Sequence, residues 1–580
     1  MSTFKRIVHK VELPPPEGCV TSIDRQLAGE DLLPVPPHKR QWKAISFVNF
    51  WIADSFNVNT FAIASSGIVA GLSWWQALIA TALGYSMAAP FLCLNGRPGA
   101  VHHIKFPAVA RASFGIWLST WIVIQRVCMS IVWWSVQSWI GGQCVAVLLK
   151  AIFPSFGRLK NTMSASQAPL TTQNLIGFII FWLLSLPTMW LPIEKARWFF
   201  HAKAVVAPIG GLTFLIWSLV KAGGGGEIIH QKATLSGSAA VWPMLSAIMS
   251  CMSNMATLVT NNSDITSYAS RPSDAVVPQL ITLPVGFTIT SLIGIFIASS
   301  SGVIYGKVVW DPIENLGMML DGSPNGATRF GVVVIAACFV YVQLILNLSA
   351  NSIGAGCDMT ALLPRWINIR RGSYICALLG IAINPWQLFK SSNAFTTYLS
   401  AYSVLLSSVA GIMICDYYLV RKGNYRVTDL YTNSHKGWYW YWKGCNPRAI
   451  VAYLCGIAPN MPGFVAAVSP STKIAPAATH IYTLSWWVGV IIGGGVYYLL
   501  NRIWPEAGAF PARFEEVDVS EYEEYGFANS PKWADGAPTF VQSRSDAGVV
   551  DREREESFEK EDVEKLHGVR SHVMDVPELR

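Results

Sequence analysis

Apolar runs long enough to cross a bilayer recur along most of this chain. A helix needs roughly 20 predominantly apolar residues to span hydrocarbon, and within lipid its backbone polar groups must be satisfied internally. Runs of this kind lie at about 45–68, 74–94, 116–149, 174–192, 204–220, 240–260, 278–304, 331–356, 374–388, 396–420, 449–468 and 483–500, twelve in all. The third is long enough to include an interfacial lead-in, and the ninth is short. Only 13% of the residues are charged and 52% are hydrophobic, whereas charged residues make up about a quarter of a soluble domain. The chain reads as an all-α integral membrane protein.

Charge fixes the expected topology. From Pro505 to the end there are 19 acidic and 9 basic residues, leaving 16 acidic and 34 basic before it. Basic residues cluster after alternate spans: Arg97, Lys105 and Arg111; Lys195, Arg197 and Lys203; Arg271; Arg365, Arg370 and Arg371; Arg421, Lys422 and Arg426. By the positive-inside rule those loops are cytoplasmic, and twelve spans then place both tails inside. Such scattered basic residues speak for membrane topology and against a nucleic-acid partner. Residues 1–44 read as a proline-rich cytoplasmic tail on or near the membrane surface, and 45–504 as the membrane domain. Residues 505–580 read as a flexible acidic cytoplasmic tail, with a mixed-charge run from Arg552 to Lys565. No cleavable signal is expected, so the first span acts as its own membrane signal. The 11 cysteines lack paired metal spacing and read as small core residues.

Within the first span sits a polar knot, Ala53-Asp54-Ser55-Phe56-Asn57-Val58-Asn59-Thr60. A carboxylate and two carboxamides inside a span are costly unless they face a cavity or a protein partner. The knot therefore reads as a broken or cavity-lining helix that meets a solute at mid-depth, with a polar helix–helix contact as the alternative. A second polar interruption, Ser253-Asn254-Met255-Ala256-Thr257, falls about 200 residues later in span six. The first ten spans then read as two inverted five-span halves, about 45–220 and 240–420. Spans eleven and twelve, about 449–500, are accessory.

Other residues suit a planar solute. Trp133 and Gln137 are four apart and share a helix face, offering a ring to stack on and a carboxamide with two donors and an acceptor. Taken alone, such a pair more often serves packing and interhelical hydrogen bonding. Gln343, Asn347 and Asn351 follow at four-residue steps in span eight and need partners, from neighbouring helices or from a ligand. Gly354 and Gly356 read as ending that helix. Arg126, the costliest residue of the membrane part, reads as a structural ion-pair or carbonyl partner. No phosphate-binding loop, His-Glu-x-x-His motif or nucleophile elbow is present, so neither enzyme chemistry nor a cofactor or metal is expected.

Five stretches, in order, resemble the nucleobase-cation-symport-1 family and its fungal uracil/allantoin/uridine/thiamine permease branch. They are Phe50-Trp51-Ile52-Ala53-Asp54-Ser55-Phe56-Asn57, Arg111-Ala112-Ser113-Phe114-Gly115-Ile116, Val136-Gln137-Ser138-Trp139-Ile140-Gly141-Gly142, Ala256-Thr257-Leu258-Val259-Thr260-Asn261-Asn262 and Asn347-Leu348-Ser349-Ala350-Asn351-Ser352-Ile353. The resemblance implies a five-plus-five inverted-repeat fold of the sodium-coupled amino-acid carrier (LeuT-like) type with two extra helices. It implies Trp133 and Gln137 as the stacking and hydrogen-bonding pair and Asn351 as the span-eight asparagine that binds substrate. The span-six stacking aromatic of bacterial relatives falls at Met255. Tyr402 falls where fungal members carry a substrate-proximal aromatic, and Phe56 joins the candidates from the knot. Two hydroxyl residues that help bind sodium in a coupled relative fall at Ile345 and Leu346, which cannot ligate a hard cation. That leaves proton symport or uncoupled uptake, with Asp54 as the candidate titrating group.

The expectation is a proton-coupled importer of a uracil- or allantoin-like planar ring. The rivals are a thiamine or nucleoside importer of the same family and, from another class, a transporter-like nutrient sensor. The resemblance also implies plasma-membrane residence and tails acted on by ubiquitin-ligase and endocytic machinery.

Overall fold

Each of the twelve apolar runs carries helix, and no strand forms among the described residues. A computed structural model describes residues 12–13, 27, 31–164, 169–191, 193–230, 233–235, 237–322, 324–469, 471 and 474–516. Among them, eight helices are long and apolar enough to cross a membrane, and nine if Pro476–Thr483 and Ser485–Ile503, bent by 79°, count as one.

The first apolar run is two helices, α1 (Ala44–Ser55) and α2 (Val58–Val69). Between them Asn57 takes an extended backbone (φ −143°, ψ 159°), and its side-chain oxygen accepts from Thr60 N at 2.9 Å. Its amide donates back to the Asp54 carbonyl. One side chain thus serves the start of α2 and the end of α1, which is how an asparagine competes with a continuing helix.

Next come α3 (Trp74–His102), α4 (Leu118–Ile152), α5 (Thr172–Ser185) and α6 (Ile193–Lys221). They are followed by α7 (Val241–Asn261) and α8 (Pro272–Tyr305). The interruption expected at Ser253–Thr257 does not occur: α7 stays helical to Asn261. Asn254 finds side-chain partners on α2 and α3, so the backbone need not unwind to satisfy it. The chain turns instead at Asn262, whose Nδ2 donates to Leu92 O at 2.9 Å, beside Ser263 Oγ donating to Asn95 O at 2.9 Å.

The eighth run forms α9 (Gly326–Leu362), followed by α10 (Ile369–Ile381), α11 (Ser392–Val420) and α12 (Pro447–Val468). α9 contains a π-helical turn at Asn347–Ser352 and does not end at Gly354 and Gly356. Those glycines serve close packing: a Cβ on Gly356 would stand 2.9 Å from Ile369 Cγ2.

α8 braces both halves of the broken run. Trp51 Nε1 donates to Gln279 Oε1 at 3.0 Å, and Ser65 Oγ donates to Gly294 O at 3.1 Å. A Cβ on Gly286 would lie 2.7 Å from Ser55 Oγ, and one on Gly294 would lie 2.7 Å from Phe61 Cα. The far face of α8 carries Val277, Ile281, Val285 and Ile289, exposed at four-residue steps. Such a stripe suits lipid. Cys128 and Cys455 are likewise exposed, not core residues as expected, while Cys93, Cys144, Cys251, Cys376 and Cys415 are buried.

The described parts of the two end segments, 31–44 and 505–516, are more tightly held than their composition implies. Val35 N donates to His103 O at 2.8 Å, Trp42 N to Tyr268 O at 3.0 Å, and Tyr431 Oη to Leu32 O at 3.0 Å. Past Pro505 the chain folds back instead of leaving the body. Phe510 N donates to Val420 O at 2.6 Å, and Glu516 accepts a fork from Arg97 at 2.9 and 2.6 Å and a bond from Tyr417 Oη at 2.9 Å. The Arg552–Lys565 run lies outside the described residues.

A side chain at Gly294 has to push α2 off α8. Gly294→Val is expected to cost about 1–3 kcal/mol by overpacking, read as an earlier thermal transition of the detergent-solubilised protein. Gly331→Ala, with open space around its Cβ, is expected to cause no loss.

Candidate substrate site

A cavity of about 40 Å³ opens where the α1–α2 break faces α4, α7, α8 and α9. Asp54, Asn57 and Asn59 come from the break, and Trp133 and Gln137 from α4. Asn254, Met255, Thr257 and Leu258 come from α7, Phe287 from α8, and Leu346, Ala350 and Asn351 from α9. That volume holds a few waters, so a planar ring enters only when the surrounding helices move apart.

Trp133 is steadied by two tyrosines of α11. Tyr402 meets it edge-on at 6.1 Å and 80°, Tyr398 lies tilted at 5.9 Å, and Tyr402 Oη donates to Ser253 O at 2.7 Å. Gln137 Oε1 accepts from Gln343 Nε2 at 2.8 Å, which leaves the Gln137 amide N–H groups uncommitted. Asn351 Nδ2 donates to Asn347 Oδ1 at 3.0 Å, which leaves the Asn351 carbonyl as an acceptor. Asn347 in turn donates to Trp134 O at 3.1 Å and Ser138 Oγ at 2.9 Å. With the amides oriented by this network, the wall offers the Gln137 N–H groups, the Asn351 carbonyl and an indole, beside Asp54, Asn59 and Thr257. A ring lactam or imide presents the matching C=O and N–H on one edge.

The π-helical turn decides how the α9 carboxamides divide. Four-residue spacing in a regular helix puts Gln343, Asn347 and Asn351 on one stripe, but the wider turn changes the register before Asn351. Gln343 and Asn347 bond to α4, and Asn351 reaches the cavity.

Of the residues singled out from sequence, Trp133, Gln137, Asn351, Met255 and Asp54 share the cavity wall. Tyr402 stands behind Trp133. Phe56 ends α1 half-buried towards α6, 4.0 Å from where a Gly211 Cβ would lie, and is not on the wall. Asn59, Asn254 and Thr257 were legible only as members of polar interruptions. Asn59 Nδ2 donates to Asn254 Oδ1 at 3.1 Å, and Asn254 Nδ2 to Tyr85 Oη at 3.4 Å. Phe287, stacked on Tyr85 at 4.3 Å, carries no signal within an apolar run.

Farther along α4, Arg126 meets Asp358 of α9 at 3.4 Å, both sealed from solvent at 2% and 0% exposure. This is the ion-pair partner expected for Arg126. Asp264 lies in the same electrostatic neighbourhood and accepts from Phe106 N at 2.9 Å and Asn261 Nδ2 at 3.2 Å. No group of three or more metal-ligating side chains occurs among the described residues. Ile345 and Leu346 are buried hydrocarbon.

The family profile "Permease for cytosine/purines, uracil, thiamine, allantoin" matches residues 34–489. The chain belongs to this permease family. A uridine permease of Saccharomyces cerevisiae is 43% identical to the permease over 505 residues, covering 86% of this chain and 78% of that one. A uracil permease of the same organism is 40% identical over 495 residues, covering 84% and 78%. The solved structure of Mhp1, a nucleobase-cation-symport-1 family transporter closed with bromovinylhydantoin bound, superposes with a TM-score of 0.66. It covers 82% of this chain and 96% of Mhp1 at 22% identity. That likeness carries the fold. The family expected from the motifs is borne out, and with it a transporter and not an enzyme.

Removing one partner of the Arg126–Asp358 pair leaves a buried charge uncompensated. Asp358→Asn is expected to destabilise the permease by about 3–5 kcal/mol, measured by thermal unfolding in detergent. The double change Arg126→Met with Asp358→Leu is expected to recover part of that loss.

Proposed function

We propose that the permease imports a nucleobase-related planar ring of the uracil or allantoin kind and couples its entry to protons. One observation carries the reading: an indole, an amide donor and an amide acceptor from two helices meet at the break in a third. The ring stacks on Trp133, Gln137 donates to a ring carbonyl, and Asn351 accepts from the neighbouring N–H. Met255 and Phe287 line the same cavity, and Tyr402 holds the indole. Met255 is a flexible thioether that adapts to a ring substituent, and the 43% identity to a uridine permease supports a nucleoside as the second reading.

Movement follows from the break. α1 and α2 are separate helices joined at two residues, so each half moves relative to the other about Phe56 and Asn57. Ile345 and Leu346 offer no oxygen to sodium, which supports protons as the driving ion and Asp54 as the group that meets them. Twelve spans in two inverted halves of five, with two accessory spans, suit the order of the helices. The basic loops support both tails in the cytoplasm, the docked segments 31–42 and 505–516 included, and membership of the permease family supports the plasma membrane as the carrier's place. Ubiquitin-ligase recruitment to those tails belongs to the same reading.

Gln137→Ala and Asn351→Ala are each expected to cut uptake of radiolabelled uracil or allantoin at least tenfold in a fungal strain lacking its own carriers, with unchanged abundance at the plasma membrane. Normal kinetics in both would remove the site. Competition among unlabelled uracil, allantoin, uridine and thiamine ranks the substrates, and a protonophore is expected to abolish accumulation. Binding by purified protein without accumulation in cells would favour a sensor.

A further inference from the structure

Lys203, on α6, is a buried charge that the substrate reading leaves unused. Its side chain is 1% exposed, and its Nζ has no hydrogen-bond partner. An ammonium taken out of water without hydrogen bonds costs several kcal/mol unless a counter-charge offsets it. That counter-charge is Asp54, the acidic side chain that acts electrostatically on Lys203, and Lys203 is the charge that acts on Asp54. Asp54 is 4% exposed and lies on the wall of the candidate substrate cavity. The helices that carry the two residues pack together, with Asn49 Nδ2 of α1 donating to His201 Nδ1 of α6 at 2.8 Å.

Other titratable groups bear little on Asp54. Among the described side chains of the helices packed on α1 they are His201 and Lys221 of α6, Asp274 and Tyr305 of α8, and Arg329, Cys338 and Tyr341 of the first part of α9. None of these acts on the carboxylate. Tyr85 of α3 feels Asp54 and is a neutral phenol bonded to Asn254.

We propose that Asp54 and Lys203 form a coupled charge pair that carries the driving proton, with the ammonium as a cation built into the protein. The proposal rests on the reading of the permease as a proton-driven importer and names its coupling residue. A proton from the outer water adds to the Asp54 carboxylate and cancels its charge. The ammonium, left without a counter-charge, releases its own proton towards the cytoplasm as α1 moves. The carboxylic acid then passes its proton to the neutral amine, which restores the pair. One proton has crossed, and none is gained or lost.

The test uses the full-length permease in proteoliposomes with radiolabelled uracil, allantoin and uridine as probes. Lys203→Met is expected to lower accumulation driven by a proton gradient at least tenfold, while counterflow exchange at equal pH stays within twofold of the wild type. Lys203→Arg, whose guanidinium keeps its proton, is expected to lose the gradient response as Lys203→Met does while counterflow persists. Asp54→Asn combined with Lys203→Met is expected to accumulate no less than Asp54→Asn alone, because two members of one unit are not additive. Protonophore-sensitive accumulation at the wild-type level in Lys203→Met overturns the pair. Equal loss of accumulation and counterflow by folded, inserted Lys203→Met protein also overturns it and makes Lys203 structural. A wild type that exchanges none of the probes counts against the substrate reading alone, because a readout without substrate remains. An infrared carboxylic-acid band that disappears in Asp54→Asn is expected to titrate at a different pH in Lys203→Met, and an unmoved band overturns the pair.

Discussion

The two-residue gap at Phe56 and Asn57 is the constraint on which the remaining architecture depends. Interrupted backbone at membrane depth persists only where its polar groups find partners, and Asn57 supplies them on both sides. Because the two halves are capped by one side chain, each is held by separate packing. α8 takes both, through Trp51 and Gln279 on one half and Ser65 and Gly294 on the other. The result turns the ends of α1 and α2 towards α4, α7 and α9, so Asp54, Asn57 and Asn59 reach the space where Trp133, Gln137 and Asn351 already point.

Carboxamides do two jobs in that space, and bonding geometry separates them. Gln343 and Asn347 spend their donors on α4 and fasten two helices. Gln137 and Asn351 are each used at one end only, one as acceptor and the other as donor, so the free ends are of opposite kind. A buried polar group with no partner is costly. Half-used carboxamides on a cavity wall are therefore placed for a solute that completes them, whereas those whose donors are spent on α4 are mortar. The π-helical turn at Asn347–Ser352 makes the distinction, by moving Asn351 off the stripe that holds its two predecessors.

Much of this was legible in the sequence, and the failures have physical causes. Apolar run length gave the helices, and spacing of four gave Trp133 with Gln137 because α4 is regular there. The same rule failed for Gln343, Asn347 and Asn351, since a wide turn leaves no mark in residue types. Ser253–Thr257 looked like a break because polar residues interrupt an apolar run, yet side chains that find lateral partners do not unwind a helix. Phe56 belonged to the knot by sequence, but a residue that ends a helix leaves in a direction set by its own backbone angles, here towards α6. Charge density past Pro505 suggested a loose tail. It gave no hint that Phe510, Glu515 and Glu516 return to the body, because single backbone and side-chain pairings carry no periodicity.

The two buried charge pairs show why burial alone does not assign a role. Arg126 and Asp358 are in direct contact, sealed at both ends, with Asp264 adding a second negative charge held by Phe106 N and Asn261. An opening there would strand three charges among packed helices, so the cluster is suited to holding one end of the bundle shut. Asp54 and Lys203 differ in their place: one partner borders a cavity and stands on the half-helix that is joined to its continuation by only two residues. A charge pair at a movable element, reachable by a proton, is what a cycle needs, because a step that must reverse on every turnover cannot be sealed among packed helices.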